Sequence, residues 1–269
     1  MKLKLRRLTA FVFITSILQL LSCNKVINID DLLHHPDQVP QLCNIKKITA
    51  FVLIIPGLID TSIAEFKYDQ WGNPVSLVFN HVNTGRPDLL FKYDKYHRLT
   101  DYYGSYYVSE FSGEFLYHYH YTGNRITADT FYAFGNLNKY VWASVYEYDN
   151  YERIIKITRK INTDGTPVLT DNFKYDNKGN LIRPLLYFDS TGTHFITKDA
   201  IYDDKVNIHR TNKIWMFIDR DYSINNPLPA TYTVNRFNLP VKINVQPPLF
   251  LEFLYQYDIG KSVIEYDCK

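Results

Sequence analysis

Apolar residues at the three-to-four spacing of an amphipathic helix are nearly absent from this 269-residue chain, which excludes helical bundles and points to an all-β body. A Gly-rich phosphate loop and a Gly-x-Ser-x-Gly elbow are both missing, so P-loop chemistry and an α/β-hydrolase nucleophile have no foothold. The basic surplus is slight, a formal net charge of +2, and supplies no electrostatic footprint for nucleic acid. The apolar run at 8–21 is interrupted by Thr9, Thr15, Ser16 and Gln19 and falls short of the roughly 20 residues a spanning helix needs.

What is there begins with an export signal. Lys2, Lys4, Arg6 and Arg7 precede that apolar run, and Leu20-Leu21-Ser22-Cys23 follow it. Leu20, Ser22 and Cys23 resemble the bacterial lipobox, which implies cleavage before Cys23 and acylation of its sulfur. Two or three acyl chains, at about 0.8 kcal/mol per buried methylene, make a stable anchor. The expected layout is a signal peptide over 1–22, a tether over 23–42 and a β domain over 43–269. Loss of 1–22 removes four basic residues and no acid, moving the formal charge from +2 to −2. With Cys23 lipidated, Cys43 and Cys268 remain at opposite ends of the body. They either pair in an oxidising compartment, tying the first strand to the last, or stay as two buried thiols.

The body repeats itself. Phe66-Lys67-Tyr68-Asp69-Gln70-Trp71-Gly72-Asn73 returns at Phe91-Lys92-Tyr93-Asp94, at Tyr146-Glu147-Tyr148-Asp149 and at Phe173-Lys174-Tyr175-Asp176-Asn177-Lys178-Gly179-Asn180. Weaker copies carry Tyr119-His120-Tyr121, Tyr202-Asp203 and Tyr257-Asp258, and a degenerate one runs Tyr232-Thr233-Val234-Asn235. The mean period is about 27 residues. Aromatic-polar-aromatic is strand alternation, and the Asp that follows accepts from backbone N–H groups two residues on, starting a turn. Three positions after the Asp stands a residue that tolerates positive φ: Gly72, Gly179 or, in the degenerate copy, Asn238. His97 and Glu152 take that place less comfortably. Val206 is costly there, so its turn must be built differently. Two strands of about eight residues per period give an antiparallel meander of roughly sixteen strands. The stretch 219–229 reads as the most elaborate loop.

These Tyr-Asp-x-x-Gly-Asn copies, with the lipobox, resemble YD-repeat proteins, distant relatives of Rhs repeats. More specifically they resemble Bacteroidota lipoproteins assigned to a domain of unknown function with a porin-like fold. The resemblance covers nearly the whole mature chain. It implies a β meander rolled into a barrel-like body and carries no catalytic residues over.

One strand face holds Phe66, Tyr68, Phe91, Tyr93, Tyr117, Tyr119, Phe173 and Tyr175, the other Glu65, Lys67, Lys92, His118, His120, Glu147 and Lys174. So charged a face is unsuited to lipid, and the aromatic face is expected inside a flattened barrel or curved open sheet, opposing walls meeting through their rings. His118 and His120 share a strand face with metal-like spacing, but no third ligand lies near in sequence, so no metal and no cofactor is expected. Tyr102, Tyr103, Tyr106 and Tyr107 come in consecutive pairs that cannot all face one way, which marks 104–113 and its flanks as a contact surface. The functional expectation is a non-enzymatic lipoprotein of the cell envelope, at the outer membrane, that binds a glycan or an envelope protein or serves as a scaffold. The alternative is a polysaccharide hydrolase with paired carboxylates in a cavity.

Overall fold

The copies at Asp69, Asp94, Asp149 and Asp176 have their turns organised by one carboxylate. The computed structural model describes residues 43–55, 58–80, 87–106, 113–133, 139–161, 168–188, 195–228, 230–249 and 259–268. Cys23, Tyr107, Tyr257, Asp258, the signal and the tether lie outside them. Asp69 Oδ1 accepts from the amides of Trp71 and Asn73, both at 2.9 Å. Asp94, Asp149, Asp176 and Asn235 accept in the same two places of their own turns. The third residue after each is left-handed: Gly72, His97, Glu152, Gly179 and Asn238 have φ of 84°, 62°, 61°, 83° and 64°. His97 and Glu152 therefore accept a conformation that a residue with a Cβ adopts at some cost.

The hairpins run as β1 (Cys43–Ile55), β2 (Leu58–Tyr68), β3 (Pro74–Phe79), β4 (Asp88–Tyr93), β5 (Leu99–Ser105), β6 (Gly113–Thr122), β7 (Arg125–Ala133), β8 (Trp142–Tyr148), β9 (Ile154–Ile161) and β10 (Val168–Asn172). Each pairs antiparallel with the next. The chain continues through β11 (Lys174–Tyr175), β12 (Leu181–Ile182), β13 (Pro184–Phe188), β14 (Phe195–Asp199), β15 (Ile201–Val206), β16 (Asn225–Leu228), β17 (Ala230–Val234), β18 (Pro240–Leu249) and β19 (Ile259–Cys268). β19 returns to lie against β1, so the main sheet of fifteen strands has β1 near its middle and β10 and β14 at its edges. Those edges are not hydrogen-bonded to each other among the described residues. Cys43 sits opposite Cys268 in that closing register, and a disulfide joins them.

The tyrosines explain why the motif repeats. The Tyr93 hydroxyl donates to the Pro74 carbonyl (2.7 Å), Tyr121 to Leu99 (2.9 Å), Tyr148 to Ile126 (2.7 Å), and Tyr175 to Ile154 (3.3 Å). Each hydroxyl thus ties its hairpin to the strand that leaves the preceding turn, and a buried phenol finds its partner. Tyr266 makes the corresponding bond to Pro240 at 2.7 Å, so Tyr266-Asp267, absent from the repeat as read in sequence, is its last member among the described residues. Replacing Tyr148 by Phe should lower stability by about 1 kcal/mol, seen as a reduced Tm. Exposed Tyr96→Phe is the control, and equal effects would refute the bond's role.

The interior departs from expectation. The walls do not meet through their own rings; they close around a segment that enters between them. Asn207 leads into a 3-10 turn (Ile208–Thr211) and then α1 (Lys213–Asp219). Trp215, fully buried, packs edge-on against Phe66 at 5.5 Å and Phe91 at 5.6 Å, and Phe217 against Tyr119 at 5.2 Å and Tyr146 at 5.6 Å. One short helix touching β2, β4, β6 and β8 requires the sheet to curl around it, the direction strand twist already favours. The aromatic face is inside as expected: Phe66, Phe91 and Tyr119 are buried, while Glu65, Lys67, Lys92, His118, His120, Glu147 and Lys174 are exposed.

The origin of the inner segment is visible at Asp203. Its Oδ1 accepts from Lys205 N at 2.9 Å, two residues on, as at Asp69, Asp94, Asp149, Asp176 and Asn235. The second amide, normally four residues on, comes from Asn226 at 3.0 Å. The whole inner segment is therefore an insertion in one repeat turn, which is how the turn at Val206 is built. The loop expected at 219–229 starts inside this segment but misses its front half.

Candidate binding site

The inner segment is pinned to two ordinary turns. Asn212 caps α1 through its side chain, accepting from Ile214 N, and its Nδ2 donates to the Gly72 carbonyl at 2.9 Å. At the other end Asn180 Oδ1 accepts from Ile224 N and Asn225 N, and the Ser223 hydroxyl accepts from Leu181 N.

Between these pins lies a buried polar chain. His209 Nδ1 is 2.7 Å from Asn207 Oδ1, and its Nε2 is 2.5 Å from Asp219 Oδ2. With an acceptor at each nitrogen the ring suits the doubly protonated form. Burial pushes the His209 imidazole down, but the charge and hydrogen bond of Asp219, with Asp221 behind, outweigh it and the net displacement is upward. Asp221, also buried, is drawn down by Arg183 and His209 against its own desolvation. A histidine raised in the folded state stabilises fully below its ordinary value near 6.5, and that stabilisation is lost as pH rises through the folded value. Thermal melts between pH 5 and 9 should therefore show Tm declining on the alkaline side, and His209→Gln should flatten that slope. A wild-type slope retained in the variant would assign the effect elsewhere.

Beyond the helix end, a chamber of about 820 Å³ opens between the inner segment and the wall from β5 to β12. This is within the usual size of small-ligand pockets, about 300–1,000 Å³. Tyr102, Tyr117 and Tyr119 stand in a near-parallel row along the wall, with successive interplanar angles of 14° and 10°. Phe131 continues the lining, stacked on Trp142 at 3.8 Å. Arg159, Arg183 and Arg220 line the same chamber, with Asp171 and Asp219 as its carboxylates. Arg159 is bonded to Asp171, Arg183 to Asp221 at 3.2 Å and Asp219 to His209. Asp129 lies beside the chamber with its carboxyl pushed up by burial, against the opposing effects of Tyr146, which donates to Oδ2, Arg220 and Ser144. Asp171, Arg159 and Ile182 are the more exposed residues and mark the mouth.

No family model matches this chain, and no curated protein does. Solved structures do. A porin-like protein from Bacteroides uniformis is 12% identical over 84% of this chain and 96% of its own, with a TM-score of 0.49. A porin-like protein from Bacteroides vulgatus is 13% identical over 83% and 98%, at a TM-score of 0.38. TcdB2-TccC3-TEV is 14% identical over 74% of this chain, at a TM-score of 0.26, and the chain spans 8% of its length. At such values function has to be read from the chain's own residues.

The sequence-derived contact surface divides between the two faces. Tyr102 is buried on the chamber wall, stacked on Phe91 and Tyr117. Tyr103 is on the opposite face with Lys92 over its ring at 5.0 Å, and the Tyr106 hydroxyl donates to Glu114 at 2.6 Å. His118 pairs with Asp101 at 2.8 Å, and no group of three or more His, Cys, Asp or Glu able to hold a metal ion occurs among the described residues. Asp69, Gly72, Tyr93, Asp94, Tyr148, Asp149, Tyr175, Asp176 and Gly179 shape turns and inter-hairpin bonds, and Tyr68 packs edge-on against Trp215; none of them lines the chamber. The residues missed in sequence were Phe131, Asp129 and Arg220. Asp129 was the available signal, since alternation puts it on the same face as Phe131.

A smaller cavity of about 650 Å³ lies at the turn end, beside Arg98, Arg125 and Lys213. Arg98 is already held by Asp94 and the Gly123 carbonyl, and Arg125 by Glu152. The chamber offers the freer chemistry.

Proposed function

We propose that this chain is an outer-membrane lipoprotein of the cell envelope, anchored through acylated Cys23, that holds a glycan in its interior chamber without converting it. The observation that carries the binding role is the chamber lining: a row of tyrosine rings and a phenylalanine in one cavity with three guanidinium groups. Flat aromatic faces pack against the C–H faces of pyranose rings, and the polar tips and cations serve the hydroxyls. An interior site of this size suits a short glycan better than a folded protein partner. The non-catalytic reading is supported by the carboxylates. Asp171 and Asp219 are each engaged by a cation, and Asp129 is sealed from any substrate, so the two-carboxylate hydrolase is the weaker alternative. The basic, apolar N-terminus ending at Cys23 supports the anchor.

Two measurements on the full chain test this. A glycan-binding screen in detergent should return a ligand whose affinity falls at least tenfold in Phe131→Ala; a blank screen would remove the binding role. Cys23→Ala should release the protein into the soluble fraction, and unchanged membrane retention would remove the anchor.

A further inference from the structure

Arg220 occupies a position that is unusual in three independent ways. It ends α1 in the left-handed region, at φ 52°, where glycine is the common residue because a Cβ is penalised. Local strain of this kind persists where the surroundings over-determine it, and it concentrates at functional sites. The backbone amide at that position satisfies the carbonyls of Met216 and Phe217, so the cap would serve as well with a glycine. What the arginine adds is its side chain, delivered into the chamber.

The guanidinium also has no carboxylate in direct contact among the described residues, although the groups around it favour its charge. Arg159 and Arg183 have carboxylates within salt-bridge distance, whereas Arg220 has none among the described residues. One of its terminal nitrogens donates to the Ile218 carbonyl, and its Nε is buried without a hydrogen-bond partner. Its other neighbours are phenols, Tyr146, Tyr119 and Tyr117, and Asp129 acts on it without direct contact. Leaving a guanidinium deep in a protein without a contacting anion is expensive unless something else supplies that anion. Finally, Arg220 lies among the chamber-lining residues and stays in reach of solvent although the helix it ends is buried.

The site therefore has a place for one negative charge in direct contact with Arg220, since Asp129 acts on it only from a distance. A carboxylate brings one, in a planar two-oxygen form that matches the guanidinium fork. A phosphate monoester brings about 1.5 to 2 at pH 7, more than one arginine balances. The rings of Tyr117, Tyr119 and Phe131 beside it call for a body with an apolar face. We infer that the chamber selects an acidic sugar, a hexuronate, whose carboxylate is held by Arg220 while its ring lies against the aromatic wall. This rests on the glycan-binding reading and deepens it.

The test uses the full chain in detergent and calorimetric titration with three probes: methyl β-D-glucuronide, the methyl ester of that glucuronide, and glucose 6-phosphate. The ester keeps the ring and removes only the charge, so the decisive comparison needs no variant. Expected is glucuronide binding at least tenfold tighter than the ester and tighter than the phosphate. Arg220→Gln should bring the glucuronide down to the ester's level, and Arg220→Lys should recover part of the loss. Equal binding of glucuronide and ester would overturn the acidic-sugar inference while leaving the glycan reading standing. Tighter binding of the phosphate would overturn it in favour of another anion. No binding of any probe would overturn the inference, and the broader screen would then decide the glycan reading separately. If Arg220→Gln fails to fold by circular dichroism, the acid-against-ester ratio in the unmodified protein decides.

Discussion

Trp215→Ala should destabilise the protein by about 3–5 kcal/mol, the range for truncating a fully buried aromatic whose cavity cannot collapse. Trp215 is fully buried, and its ring is met edge-on by Phe66, Phe91 and, at 6.5 Å, Tyr68. Those partners belong to strands locked into a ladder on both sides, so they cannot move inward to fill the space. Neighbouring Ile214, Met216 and Ile218 are buried as well, and a loosened helix would expose them together. Denaturant unfolding followed by tryptophan-independent circular dichroism should show a markedly lower midpoint. A loss below about 1 kcal/mol would mean that the sheet holds its curvature without the inner helix.

Removing the Cys43–Cys268 disulfide is expected to cost about 2–5 kcal/mol. The bond joins residues 225 apart in sequence, so it closes nearly the whole body into one loop and removes a large share of the freedom of the unfolded chain. It also guards the seam of the main sheet where β19 meets β1. Lys47 and Glu265 bridge the same pair of strands, but an exposed ion pair adds little. A Cys43→Ser, Cys268→Ser double variant should unfold at clearly lower denaturant than the oxidised wild type, and reductant should shift the wild type to the variant's midpoint. Coincident midpoints with and without reductant would show that the seam needs no covalent support.

Much of the architecture could be read from local chemistry. The turns at Asp69, Asp94, Asp149 and Asp176 were predictable because an Asp side chain and a left-handed residue specify the same geometry wherever they occur. Alternation then assigned the faces correctly, because a charged residue between two aromatics leaves only one inward choice. α1 was not legible for an equally physical reason. Ile214-Trp215-Met216-Phe217-Ile218 is apolar on every side, since it is buried on every side, and so shows no helical periodicity. Its one sequence sign was the cap, Asn212. The chamber was still less visible. Arg220 resembles any polar residue after a helix until its backbone angle and its lack of a contacting carboxylate are seen. Tyr266 escaped for want of a turn after it: its Asp is followed by Cys268, and only the hydroxyl bond to Pro240 identifies it.

Because the segment from Asn207 to Ser223 is spliced into a single turn whose carboxylate still recognises both amides, it is a self-contained insertion. The surrounding hairpins own their turns and their tyrosine ties, and they meet it through its buried rings and the bonds of Asn212 and Ser223. Exchange of that one stretch would alter the share of the cavity lining given by Ile218, Asp219 and Arg220 while the wall residues stayed as they are.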